Sequence, residues 1–152
     1  MSTRYLFVLL VMLLSSPVLL AQSSLDGTWE GTMTIGGIYS NEELPMQLYL
    51  NTKDGIVEGR SYVQLPEGGT LRMDLRGKIF TDRSIRLVET AFAGDEFNER
   101  LPKFNRKYQI IFRNDIWNPE LIGYWQEVKE EVFSPNRRRG RMSLTKRKTK
   151  GV

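Results

Sequence analysis

The fold is decided by an alternating stretch in the middle of the chain, residues 70–80, which read TLRMDLRGKIF. Every second side chain is apolar or glycine, and those between are charged or polar. The first set is Leu71, Met73, Leu75, Gly77 and Ile79, and the second includes Arg72, Asp74, Arg76 and Lys78. Successive side chains of a β-strand point to opposite faces, so this stretch predicts a strand with one buried and one solvated face.

Seven further segments repeat this alternation, and turn residues such as Asp54-Gly55 and Glu67-Gly68-Gly69 separate them. The predicted strands are Thr28–Ile35, Pro45–Asn51, Ile56–Gln64, Thr70–Phe80, Ser84–Phe92, Arg106–Arg113, Glu120–Val128 and Gly140–Lys146. No amphipathic helix lies between them. The pattern therefore predicts an all-β fold, an eight-stranded antiparallel up-and-down β-barrel. A two-sheet sandwich is the alternative, but its crossings would need longer connections.

The alternation also predicts which side chains face the interior. In the fifth strand we expect Ile85, Leu87, Glu89 and Ala91 to share the inner face. The opposite faces are highly charged, as in residues 70–80. A barrel that spans a membrane needs an apolar outer band, so the pattern predicts a soluble barrel.

The first 21 residues read as a secretory signal peptide. Arg4 is followed by an unbroken apolar run that ends before Ser15, and Ala21 offers a small residue for cleavage. A membrane anchor is the alternative, but a spanning helix needs about 20 apolar residues. We expect residues 22–147 to form one barrel domain, residues 148–152 a basic tail, and the mature protein to be periplasmic or secreted. The ending at residues 19–22, LLAQ, resembles secretory signals common in the Bacteroidota.

The composition excludes several kinds of chemistry. The 152 residues suit a single domain, and they include neither Cys nor His. Disulfides, iron–sulfur clusters and Cys-based zinc sites are thereby excluded, and the commonest general base is missing. Motifs for phosphate binding or for a serine nucleophile are also absent from the sequence. We therefore expect neither an enzyme nor a bound metal or cofactor.

A short motif at the head of the first strand, Gly27-Thr28-Trp29, resembles the Gly-x-Trp motif of the calycin barrels, which include lipocalins and avidins. The resemblance implies that Trp29 plugs one barrel end and that a basic residue near the last strand, Arg139 or Arg141, stacks on it. A Thr-Asp-Tyr motif and a C-terminal helix, both expected of a standard lipocalin, are missing. Small secreted lipocalin-like barrels, with a late Gly-Tyr-Trp as at residues 123–125, are the better match.

Glu89 is the most informative candidate site residue because a buried carboxylate must be paired, protonated or placed in a wet cavity. It would orient a ligand or act as a general acid or base. Alternatively, it is structural and paired with an Arg, Trp or Tyr. We expect a small, mainly apolar ligand inside the barrel, although ordinary core packing would account for the same lining residues. The predicted ligand-binding residues are Glu89, Trp29, Tyr108, Trp125, Met33 and Met73.

The alternative function is that of an interaction module, a filled barrel that contacts a protein or an envelope component through its loops or basic end. Residues 134–152 hold eight basic and no acidic side chains. In an exported protein these would meet an anionic envelope component rather than nucleic acid, or they form a solvated turn and tail. The residues concerned are Arg137, Arg138, Arg139, Lys146, Arg147 and Lys148. The charged linker 93–105 would be a lid, a partner contact or a plain connection.

Overall fold

The computed structural model describes residues 25–92, 105–129 and 137–148. All its strands belong to one closed barrel in which each pairs antiparallel with the next and the last pairs with the first. The strands are β1 (Gly27–Thr34), β2 (Glu43–Lys53), β3 (Ile56–Gln64), β4 (Thr70–Ile79), β5 (Ser84–Phe92), β6 (Arg106–Arg113), β7 (Glu120–Glu127) and β8 (Arg139–Lys146). The predicted up-and-down barrel is thus confirmed.

The predicted strand bounds agree closely with those of the structure. β2 differs most, since it begins at Glu43 and continues to Lys53. The turn that follows it has positive φ at both Asp54 and Gly55, which is the geometry of a two-residue hairpin. The predicted signal peptide, residues 1–21, lies outside the described residues, as does the tail beyond Lys148. Within the described ranges, no helix has the length and apolarity needed to cross a membrane.

One predicted inward residue, Ala91, lies on the outer face instead. The register of β4 and β5 shifts between Asp74 and Leu75, which pair with Ala91 and Glu89 respectively, so that Thr90 is an extra residue in β5. A bulge of this kind reverses the alternation beyond it. The prediction for Ala91 is therefore wrong, while Glu89, on the near side of the bulge, keeps its inward position.

The two ends of the barrel differ. The closed end carries Leu25 and the turns β2–β3, β4–β5 and β6–β7. There the Trp29 indole donates a hydrogen bond to the Leu25 carbonyl (2.8 Å) and packs edge-on against Phe112, with ring centroids 5.8 Å apart. This is the plug that the Gly-x-Trp resemblance implies. The opposite end, the mouth, carries the described connections β1–β2 and β3–β4.

The interior between the two ends is packed with apolar side chains from all eight strands. Inward-facing glycines do not open a cavity in it. A Cβ added at Gly77 would overlap the carbonyl oxygen of Arg86, and one added at Gly59 would overlap that of Tyr49. The missing side chains thus let neighbouring strands approach closely, which a small coiled barrel requires.

Candidate functional site

Glu89 is buried inside the barrel near the mouth and is fully supplied with hydrogen-bond donors. One carboxylate oxygen accepts from the Arg106 backbone N–H (2.9 Å). The other accepts from the Arg106 Nε (2.9 Å) and the Tyr108 hydroxyl (2.6 Å). Three donors, one of them a guanidinium, satisfy an ionised carboxylate well. This geometry matches the alternative interpretation of Glu89 as a structural residue paired with an Arg and a Tyr.

Arg106, the partner of Glu89, was not among the predicted site residues, although the sequence places it at the start of the sixth strand. Its burial follows from the same rule that places Tyr108 inside, since both occupy alternate positions of one strand. The Arg106 and Glu89 side chains are only 3% and 0% exposed. The alternation of β6 was therefore the available signal, because it places Arg106 on the same inward face as Tyr108.

Two more predicted site residues contact the Arg106 guanidinium. The Trp125 ring lies under it, with the guanidinium carbon 5.5 Å from the ring centroid, and the Met33 sulfur is 3.3 Å from Nη1. Trp125 is itself fixed, because its indole N–H donates to the Thr34 carbonyl (3.0 Å). We refer to Glu89, Arg106, Tyr108 and Trp125 as the buried cluster.

Burial dominates the electrostatics of the cluster. It raises the pKa of Glu89, against the opposing effects of the Arg106 charge and the Tyr108 hydrogen bond. Burial, together with the nearby Glu89, also raises the pKa of Tyr108 far above its usual value, so the phenol remains a neutral donor. Ser61 lies buried beside that phenol without a well-formed hydrogen bond. The cluster therefore holds a fixed cation, with its carboxylate turned towards Arg106.

Above the cluster, the mouth contains a pocket of about 330 Å³ with mostly apolar walls. Among the described residues, Arg106, Arg138 and Glu67 are the charged side chains that line it, and Trp125 forms part of its wall. The apolar and glycine residues that line it are Ile35, Gly36, Leu44, Val63, Leu65 and Pro66. The linker 93–105, which we considered as a lid, lies outside the described residues apart from Asn105. The arrangement can bind an apolar group against a cation.

The structure brings most of the predicted ligand-binding residues together, but it does not place all of them at the pocket. Glu89, Tyr108, Trp125 and Met33 all touch Arg106 or one another. Of the six predicted residues, Trp125 is the one found among the described residues that line the pocket. Met73 is buried in β4, and Trp29 is at the closed end.

The basic residues near the C-terminus do not form one patch. Arg137, Arg138 and Arg139 lie at the mouth, whereas Lys146, Arg147 and Lys148 lie at the closed end, about 24 Å away along the eight residues of β8. Within the described ranges, Arg138 pairs with Glu127 (2.9 Å) and Arg147 with Glu30 (3.2 Å).

The prediction that Arg139 or Arg141 stacks on Trp29 is wrong. Both side chains are exposed on the outer face, near the mouth end of β8. Lys146 faces inward and pairs in register with Trp29, and its Nζ lies 5.6 Å from the ring centroid. Met142, Leu144 and Lys146 share the inward face of β8, whereas Arg139 and Arg141 lie on its outer face.

The part of the chain that the structure describes contains no group of three or more Asp or Glu side chains able to hold a metal ion. The closed antiparallel barrel is consistent with a lipocalin-like fold. Comparisons of the chain with protein-family models, with curated proteins and with solved structures find no match.

Proposed function

We propose that this chain is an exported lipocalin-like binding protein, which takes a small, mainly apolar ligand in the pocket at the barrel mouth. The observation that carries the proposal is the Arg106 guanidinium, which is buried in the barrel, stacked on Trp125 and part of the wall of an apolar pocket. Pockets for small molecules are mostly apolar with a few fixed polar groups that orient the ligand. The mouth has this composition.

The pocket dimensions and chemistry limit the ligand. A volume of about 330 Å³ is at the small end of the range for ligand pockets. The apolar body of the ligand would pack against Trp125, Leu44 and Val63, and an oxygen acceptor on it would face Arg106. In this proposal Arg106 is the polar anchor, and Glu89 acts through it by fixing its position. The function is binding rather than catalysis.

The proposal is tested by filling the pocket without disturbing the core. Leu65 is half-buried at the pocket, so Leu65→Trp adds volume there, while Ile56→Trp makes the same kind of change on an exposed site at the closed end. Anilinonaphthalene sulfonate, a small apolar anion, serves as the probe. We expect the wild type and Ile56→Trp to bind one equivalent, and Leu65→Trp to bind at least about tenfold more weakly, a loss of ~1.4 kcal/mol.

Equal binding by all three proteins, or no binding by the wild type, would contradict the proposal. A second experiment, native mass spectrometry of the protein from the cells that produce it, would identify the natural ligand. We expect an extra mass on the wild type and on Ile56→Trp that is reduced on Leu65→Trp.

A further inference from the structure

A second feature, at the opposite end of the barrel from the pocket, is an exposed apolar pair at the tip of the β6–β7 hairpin. The pair consists of Ile116 and Trp117, which are 90% and 84% exposed. Single exposed apolar side chains are common on protein surfaces. Two large ones that are adjacent in sequence and almost fully exposed at a hairpin tip are unusual, and contact with another surface would bury them.

The tip has a defined shape that directs both side chains outward. The Asp115 carboxylate accepts hydrogen bonds from the backbone N–H groups of Trp117 (2.8 Å) and Asn118 (3.2 Å). The Asn118 side chain in turn donates to Glu120 (3.2 Å). The acidic group nearest the tip is therefore turned back on its own loop, while the indole and the isoleucine project into solvent.

Basic side chains flank the tip. The Phe112 N–H donates to the Arg83 carbonyl (3.0 Å), which places the β4–β5 turn beside β6, and the Lys146 N–H donates to the Pro119 carbonyl (3.3 Å), which places the end of β8 beside the tip. Arg83, Arg113 and Lys148 are all exposed here. Within the described residues, none of the three forms an ion pair.

On the β4–β5 turn, the Phe80 ring is 42% exposed and Arg86 lies over it, with 5.4 Å from the guanidinium carbon to the ring centroid. The Asp82 carboxylate on the same turn accepts from the Ser84 backbone and hydroxyl. The closed end thus presents apolar side chains at two neighbouring turns, with cations around them and acidic groups engaged in the turns themselves.

We propose that the closed end of the barrel binds the surface of an anionic lipid bilayer. Trp117 and Ile116 insert at the level of the headgroups, where tryptophan is preferred, and Arg83, Arg113 and Lys148 lie against the lipid phosphates. A projecting tip of two residues suits a soft surface. It does not supply the area of about 800 Å² per partner that a specific protein interface requires. The mouth would then face away from the bilayer.

The experiment is cosedimentation of the full chain with two kinds of vesicle, phosphatidylcholine alone and an equimolar mixture with phosphatidylglycerol. Trp117→Ala is compared with Tyr39→Ala, which removes an aromatic side chain that is 90% exposed at the mouth. We expect the wild type and Tyr39→Ala to bind the mixed vesicles. Trp117→Ala should lower the partition coefficient by about tenfold.

The contribution of the basic side chains to vesicle binding is tested with a second pair of variants. Arg113→Gln should weaken binding to the mixed vesicles by about fivefold, and Arg139→Gln, exposed at the mouth, should leave it unchanged. Equal urea midpoints would confirm that the variants remain folded.

Failure of the wild type to bind mixed vesicles, or equal binding by Trp117→Ala, would overturn the proposal. Self-association of the wild type that Trp117→Ala abolishes, without vesicle binding, would instead assign the tip to a contact between copies of the chain. None of these outcomes depends on ligand binding at the mouth.

Discussion

The buried ion pair between Glu89 and Arg106 provides a quantitative test of how the barrel is held together near its mouth. Glu89→Gln removes one charge while nearly preserving shape, and Arg106→Met removes the other. Each single change leaves the remaining charge buried without compensation, which typically costs about 3–5 kcal/mol. Two unit charges about 4 Å apart attract by ~4 kcal/mol at an effective dielectric constant of ~20. The double variant escapes that penalty.

We therefore expect the double variant to be more stable than either single variant. This requires a coupling energy larger than either single loss, about 4 kcal/mol where each single variant loses about 3 kcal/mol. Equilibrium urea denaturation of the four proteins measures this directly. The matched control is the ion pair between Arg60 and Asp74, which has nearly the same separation (2.8 Å) but is 45% and 40% exposed. Solvent screens that pair, so its coupling should be close to zero. Additive losses at Glu89 and Arg106 would refute the assigned role of burial.

Three further predictions concern other parts of the barrel. Gly77→Ala should cost about 1–3 kcal/mol in urea denaturation, because the new Cβ must displace a neighbouring strand. Arg138 lowers the pKa of Glu127 below 4.5, so Glu127→Gln should destabilise near neutral pH and progressively less as acid protonates the wild type. Burial against Trp29 lowers the pKa of Lys146, so wild-type stability should rise relative to Lys146→Met as the pH approaches 10.5.

Most of the fold could be predicted from the sequence because a single rule, the alternation of side chains along a strand, applies to all eight strands. Hydrophobic burial fixes the register wherever one face is apolar. Residues 70–80 therefore predict their own orientation, and so does Tyr108 in β6. The hairpin at Asp54-Gly55 is equally local, since both residues adopt positive φ readily.

The rest depends on contacts between distant residues, which alternation alone does not encode. The bulge at Thr90 turns Ala91 outward, and nothing in the local pattern marks it. Arg106 begins the predicted sixth strand, but its pairing with Glu89, 17 positions earlier, follows only once the two strands are placed side by side. Lys146 rather than Arg139 reaches Trp29 because the register of β1 and β8 decides that contact. Pockets, too, depend on how several strand ends meet.

The buried cluster raises the question of why a barrel packed with apolar side chains keeps an ion pair near its mouth. Replacing such a pair by apolar residues is often neutral or stabilising, so stability is a weak reason to retain it. Presenting a fixed guanidinium to the pocket is a stronger one, because Arg106 both pairs with Glu89 and lines the pocket.

Stability and ligand binding should respond differently in the double variant, Glu89→Gln with Arg106→Met. We expect it to lose less stability than either single variant, yet to bind anilinonaphthalene sulfonate at least about tenfold more weakly than the wild type. Tyr108→Phe, which removes one donor to Glu89 but keeps Arg106, should bind the probe nearly as well as the wild type. If the double variant binds the probe normally, the guanidinium has no part in recognition, and the cluster serves only to close the barrel.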